Sequence, residues 1–250
     1  IEKLNILGQQ WHNVSLDAKP DGEHWLFSVG AKETLTEVKV FEDIKTAGIE
    51  INSEFLQIHV ESEDGETETE DGPDLMNSDR LIRALPPMKL VCNDCTYNQK
   101  PLGKVEISTH TEDSTLVIDK ASLSYDRNHF EGTGKWRGNA QSGSTEISGE
   151  LNSRYFGKLL KDWGLDSGIK DSDANIKLQV SWLGAPQDFN FKYLNGTSEI
   201  KLGEGYLSEV SDQGARIFSL FSLDSLYRKL KFDFNDVFSK GLFYNDIKGN

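Results

Sequence analysis

Between Met88 and Leu151 apolar and polar residues alternate with a period of two, and this pattern limits the fold more than any other feature of the chain. Leu116 and Ile118, then Ala121, Leu123 and Tyr125, are separated by polar residues, and Asp126-Arg127-Asn128 turns the chain. His129 to Arg137 and Ser144 to Leu151 return in the same rhythm. A two-residue period puts successive side chains on opposite faces, which an α-helix cannot do and a half-buried strand does. Gly132, Gly134, Gly138, Gly143 and Gly149 punctuate the run and are expected at hairpin ends and strand bends. No helical pattern follows Gly132 or Gly134, so these glycines do not read as a phosphate-binding loop.

The same rhythm holds upstream. Ile1 to Gly8, Trp11 to Ala18, Trp25 to Gly30, Leu35 to Phe41 and Ile49 to Val60 read as short strands, with a turn predicted at Lys19-Pro20-Asp21-Gly22. Short hairpin-linked strands predict an antiparallel meander. Residues 61–74, ESEDGETETEDGPD, hold eight acids and no base. Self-repulsion and the lack of apolar residues predict an exposed loop, and the spacing does not match an EF-hand calcium loop. Leu75 to Leu85 then reads as one or two helical turns ended by Pro86-Pro87.

Downstream, Asn152 to Gly164 is a predicted helix, with Asn152 or Ser153 as cap and Phe156, Leu159, Leu160 and Trp163 as its apolar stripe. Strands follow at Asn175 to Trp182, Phe189 to Leu194 and Thr197 to Leu202. In the last fifth, Val210, Gly214, Ile217 and Phe221, then Leu220, Leu223, Tyr227 and Leu230, recur at helical spacing. Leu230, Phe232 and Phe234 switch to alternation, and Phe243, Asn245 and Ile247 alternate again. The reading is three blocks: 1–74, a meander ending in the acidic loop; 75–151, a short helix and a meander; 152–250, helix, strands, apolar helices and closing strands. Roughly a dozen strands exceed what a flat open sheet holds before it curls or splits. Alternation alone does not say whether the apolar face meets protein or lipid.

Composition narrows the function. Against 27 bases stand 41 acids, a net charge of −14, which disfavours nucleic acid and anionic membrane surfaces as partners. No run approaches the roughly 18 to 20 apolar residues of a membrane span. The start at Ile1 and the stop at Asn250 inside an alternating stretch read as those of a fragment of a longer polypeptide. His12, His24, His59, His110 and His129 are scattered without metal-ligand spacing, no Gly-x-Ser-x-Gly elbow is present, and no carboxylate pair stands out. The chain reads as a non-enzyme with no cofactor and no metal.

Several motifs carry a resemblance. Gly203-x-Gly205 with Leu207, Gly214-Ala215-Arg216-Ile217, and Leu230-x-Phe232-x-Phe234-x-Asp236-Val237-Phe238-x-Lys240-Gly241 resemble the C-terminal region of the YhdP family, AsmA-like proteins of the Gram-negative envelope. Trp182-x-Gly184-x-Pro186 before Leu194-Asn195-Gly196, and Leu102-Gly103-Lys104-Val105 ahead of Gly134-x-Trp136-Arg137, fit the same family in order. The resemblance implies a mainly β fold with short helices, an elongated, curled antiparallel sheet of the AsmA-like and TamB-like groove type, or β-taco. It implies intermembrane transport of phospholipid in support of the outer-membrane barrier. Its partners would be phospholipid acyl chains and other envelope proteins, at a periplasmic location, with a membrane anchor outside this fragment.

On that reading Phe156, Leu160, Trp163, Ile217, Leu220, Phe221, Phe232 and Phe234 are candidates to line or close the groove. A structural or protein-binding envelope domain with an ordinary packed β core is the alternative. The periplasmic address favours a local disulfide between Cys92 and Cys95 over a zinc site, a redox motif or free thiols. In straight strand their Cα atoms would lie about 10 Å apart, beyond bridging range, so the bond is expected to need a turn at Asn93-Asp94.

Overall fold

The computed structural model describes residues 1–6, 9–59, 81–138, 143–165, 167–186, 194–207, 242–244 and 247–249. Its elements are strands β1 (Lys3–Ile6), β2 (Gln9–His12), β3 (Ser15–Asp21), β4 (His24–Ala31), β5 (Thr34–Phe41), β6 (Ile49–Ile58), β7 (Met88–Tyr97), β8 (Lys100–Glu112), β9 (Thr115–Tyr125), β10 (Asn128–Arg137) and β11 (Ser144–Ser153), helix α1 (Phe156–Asp162), then β12 (Ile169–Lys170), β13 (Ala174–Leu183), β14 (Asn195–Leu202), β15 (Gly205–Leu207), β16 (Leu242–Tyr244) and β17 (Ile247–Gly249). The fold is mainly β, as the period-two pattern requires. Twelve strands form one sheet in the order β17-β14-β13-β11-β10-β9-β8-β7-β6-β5-β4-β3, beside a β1-β2 pair and a β12-β15-β16 sheet.

Tight loops explain the meander. Two-residue connections join β3 to β4, β4 to β5, β7 to β8, β8 to β9 and β9 to β10. Asn98 and Gln99 both hold positive φ (46° and 65°), and Asp113 and Asp126 do so at 53°. Turns with positive φ match the twist of paired strands, and Asn and Asp tolerate that region. The expected turn at residues 19–22 is shorter than its sequence suggests, because β3 runs on through Pro20 to Asp21. Pro20 pairs with Trp25 and sits on an edge strand, where a missing N–H costs no ladder bond.

The sheet is mixed rather than wholly antiparallel. β6 and β7 run parallel, in register from Ile49↔Met88 to Ile58↔Tyr97. A parallel pair needs a long crossover, and residues 59–87 provide it. The acidic run at 61–74 lies outside the described residues; the crossover's last part, residues 81–84, is a helical turn. It docks on the sheet through Ile82, fully buried with Leu116, Trp136 and Ala185, with Leu85 packed alongside. Thr111 Oγ1 ties the turn down by donating to the carbonyls of Ile82 (3.3 Å) and Leu85 (3.1 Å).

Two compact units divide the chain: Ile1–Tyr125 with Gly132–Ile147 and Ser181–Asn195, and Asp126–Glu131 with Ser148–Val180 and Gly196–Asn250. Within the second, Phe156, Ile169, Ala174, Ile176, Ile200 and Leu202 are buried. Helix α1 is shorter than predicted. Asn152 and Ser153 belong to β11, Ser153 Oγ donates to Asn128 Oδ1, and Tyr155 occupies the N-cap without a side-chain capping bond.

The glycines expected at hairpin ends partly fall elsewhere. Gly132, Gly134 and Gly149 lie inside β10 and β11. A Cβ on Gly134 would come within 2.6 Å of Ile147 Cδ1 and 2.7 Å of the Glu146 carbonyl, so close approach, not bending, requires glycine there. The final alternation, Phe243 to Ile247, is likewise not one strand: β16 pairs with β15, and β17 pairs with β14.

Candidate functional site: an apolar sheet face

The register of β3 to β9 sorts their side chains into two chemically distinct faces. Residues directly opposite one another in paired strands share a face. Starting from Ala18, the partners across the sheet are Phe27, Val38, Ile51, Leu90, Ile107 and Ala121. A second row runs Pro20, Trp25, Val40, Ile49, Met88, Thr109, Ile118, and a third runs Leu16, Val29, Thr36, Ser53, Cys92, Val105, Leu123. The opposite face reads Asp17, Ser28, Glu37, Asn52, Val91, Glu106, Ser122, with Lys39, Glu50, Lys89, Ser108 and Lys120 beside it. One face is almost wholly apolar; the other is mainly polar and charged, with Leu26, Leu35, Phe55 and Val91 as its apolar members.

Burial separates this arrangement from a sandwich core. Phe27, Val38, Val40, Ile49, Ile51, Met88, Leu90, Ile107 and Ile118 are only half-buried. Trp25 is 47% exposed and Leu16 64%. A second sheet packed on this face would bring most of these residues to near-complete burial. Burial deepens toward β7 to β9, where Cys92, Cys95 and Val105 form a buried cluster with Leu56, Leu90, Leu102, Ile107 and Leu123 against it. Seven strands give six spacings of about 4.8 Å, so the apolar rows extend about 29 Å across the strands.

Three of the polar members of the face are satisfied from within it, whereas Thr109 Oγ1 is buried without a hydrogen-bond partner among the described residues. Thr36 Oγ1 lies 2.6 Å from Thr34 Oγ1 and 2.7 Å from Ser53 Oγ, while Thr34 Oγ1 donates to the Phe55 carbonyl. These hydroxyls therefore interrupt the apolar rows less than their chemistry suggests. Trp25 and Phe27 lie two residues apart on the same face, with ring centroids 6.5 Å apart. On the polar face, Glu106 takes Lys104 at 2.7 Å and Lys120 at 2.9 Å. Their hydrogen bonds, Lys104 first, hold its carboxyl down to about 2.

Cys92 and Cys95 are joined by a disulfide with Cα atoms 6.0 Å apart. The bond does not use the turn expected at Asn93-Asp94; both residues stay in β7. A register shift there places three steps of β7 against two of β8, from Cys92↔Val105 to Cys95↔Gly103. That bulge brings the Cα atoms within bridging range while the strand continues.

Of the candidates read from the sequence, Ile217, Leu220, Phe221, Phe232 and Phe234 lie outside the described residues. Phe156, Leu160 and Trp163 belong to the second unit. Phe156 is 2% exposed, Leu160 and Trp163 are half-buried, and the Phe156 amide donates to the Ser172 carbonyl. The apolar rows of β3 to β9 were not singled out from the sequence. Their signal was present as strand alternation, but which strands pair in register is set by the crossover and bulges. Among the described residues no group of three or more His, Cys, Asp and Glu could hold a metal ion, and no helix is long and apolar enough to cross a membrane.

Comparison with known proteins places this face in context. No solved structure matches the chain. The chain is 24% identical over 253 residues to the intermembrane phospholipid transporter YhdP of Escherichia coli (strain K12). The match covers 98% of this chain and 19% of that protein, so the chain spans about a fifth of its relative. The family model described as YhdP protein matches residues 1–250, and the chain belongs to the YhdP family.

Proposed function

We propose that this chain contributes part of an apolar path along which phospholipid acyl chains move between the membranes of a Gram-negative envelope. In this reading the path supports the outer-membrane barrier. The single observation that supports it most is the set of three apolar rows held in register across β3 to β9, most of whose side chains are only partly buried. The relative named as a phospholipid transporter supports the same reading.

The physics is passive. Each methylene removed from water is worth about 0.8 kcal/mol, so carrying a chain of about sixteen carbons through water costs on the order of 12 kcal/mol. A face that repeats similar apolar rows at each strand spacing lowers that cost without creating a deep trap. No covalent step or cofactor enters, and the chain acts as a conduit rather than an enzyme. It works in the periplasm, with the membrane anchor and other envelope contacts supplied by a longer polypeptide. The buried set Phe156, Ile176, Ile200 and Leu202 suits closure of the second unit rather than lipid contact. Leu160 and Trp163 belong to that closure, and Ile217, Leu220, Phe221, Phe232 and Phe234 are assigned to lining or closing the path.

Native mass spectrometry of the 250-residue chain purified from a Gram-negative host, with extraction of what copurifies, tests the proposal. Phospholipid released on activation supports it. A lipid-free chain that also fails to take up added phospholipid favours a structural or protein-binding domain.

A further inference from the structure

A polar cleft opens at the end of β4, β5 and β6, lined by Asn5, Gln9, His12, Lys32, Glu33 and His59 among others. Glu33 sits in the two-residue loop between β4 and β5, yet is only 5% exposed. Its Oε2 accepts from the His12 amide at 2.9 Å, and its Oε1 lies 2.7 Å from His12 Nδ1. Burial pushes the Glu33 carboxyl up, but these bonds from His12 outweigh it and leave the carboxyl below its ordinary value. An ionised carboxylate only accepts, so His12 Nδ1 carries the hydrogen and Nε2 is the nitrogen left for other partners.

The frame around this pair is rigid. Gln9 is 6% exposed and clamps the end of β6 from both sides, donating to the Gln57 carbonyl (2.8 Å) and accepting from the His59 amide (3.1 Å). The Gln57 amide donates to the Glu33 carbonyl at 2.8 Å, and the Lys32 amide to the His12 carbonyl at 2.9 Å. Among the described residues that line the cleft Glu33 is the one carboxylate, and both its oxygens are engaged by His12. The rest of the wall carries an ammonium, two imidazoles and side-chain amides, a set rich in N–H groups and suited to an anion.

The cleft adjoins the apolar face. Thr34, next to Glu33, pairs with Ala31 on one side and Leu56 on the other, and Leu56 packs against the Cys92, Cys95 and Val105 cluster. We infer that this cleft binds a phosphate group, as the headgroup phosphate of a lipid whose chains lie on the neighbouring apolar rows. Lys32, His12 and His59 contact the phosphate oxygens, and Glu33 positions His12. The lipid part of this assignment rests on the proposed function; the phosphate site itself does not.

The test compares short-chain phosphatidylglycerol, diacylglycerol of the same chain length and glycerol 3-phosphate as probes of the 250-residue chain. Affinity is read by calorimetry and the imidazole signals of His12 and His59 by NMR. The expected result is that phosphatidylglycerol binds more tightly than diacylglycerol and shifts both imidazoles. Lys32→Ala with His59→Ala should then weaken phosphatidylglycerol about tenfold or more and leave diacylglycerol unchanged. Both side chains can be removed without touching the Glu33 and Gln9 bonds, and an unchanged thermal unfolding profile confirms that the variant is folded. Equal binding of the two lipids with still imidazoles overturns the headgroup site and leaves the apolar path standing. Glycerol 3-phosphate shifting both imidazoles while neither lipid binds upholds the phosphate site and removes its lipid source. Silence toward all three probes overturns the inference.

Discussion

Gly157 shows how far one residue can matter. It lies in α1, and a Cβ there would meet the Ile169 carbonyl oxygen at 1.8 Å, a backbone atom that cannot swing away. Gly157→Ala is therefore expected to lower stability by about 1 to 3 kcal/mol despite alanine's higher helix propensity, read as a lower urea midpoint. Glu106 and His110 give opposite pH signatures. With its carboxyl held near 2, Glu106 contributes stability above the unfolded carboxylate range, and this is lost as pH falls from about 4.5 toward about 2. His110 is raised by its bonds to Asp119 and Glu112, so its contribution is present below about 6.5 and is lost as pH rises through the folded value. Glu106→Gln should flatten the acid limb of a stability profile and His110→Gln the limb near neutrality. Such details were not legible in the sequence. Lys120 reaches the Lys104 and Glu106 pair only once β8 and β9 are joined, and Gly157 looks like an ordinary helix weakness until β12 is placed against it.

At the level of elements, alternation marked most strands, because a half-buried strand writes its two faces into consecutive residues. What it could not mark was pairing direction. The parallel β6–β7 pair depends on the length of the crossover and on where it docks, and Ile82 fixes that docking. Ile82→Ala should destabilise the first unit by about 2 to 5 kcal/mol, measured by denaturant unfolding. Removing the Cys92–Cys95 bond by paired Cys→Ser substitution should cost about 2 kcal/mol, since it closes so short a loop. Hydrogen exchange should increase first around the β7 bulge. The cap of α1 was misread because Asn152 and Ser153 suit a cap chemically, but β11 claims them first through the Ser153 bond to Asn128.

For the molecule as a whole, family membership and a mainly β architecture were readable from ordered motifs and strand rhythm. The apolar rows were not, because a face exists only when seven strands share one register. The two units divide the apolar chemistry differently. In the first, β3 to β6 leave most of their row residues only partly buried and burial deepens toward β7 to β9; in the second, Phe156, Ile176, Ile200 and Leu202 are buried. The most direct test of the lipid path is site-specific photo-crosslinking in cells. A photoreactive residue is placed in turn at Phe27, Val38, Ile51 and Leu90, and at their opposite-face neighbours Ser28, Glu37, Asn52 and Lys89. The account predicts phospholipid adducts at the first four and none at the second four. Adducts at both sets alike, or at neither, would contradict it.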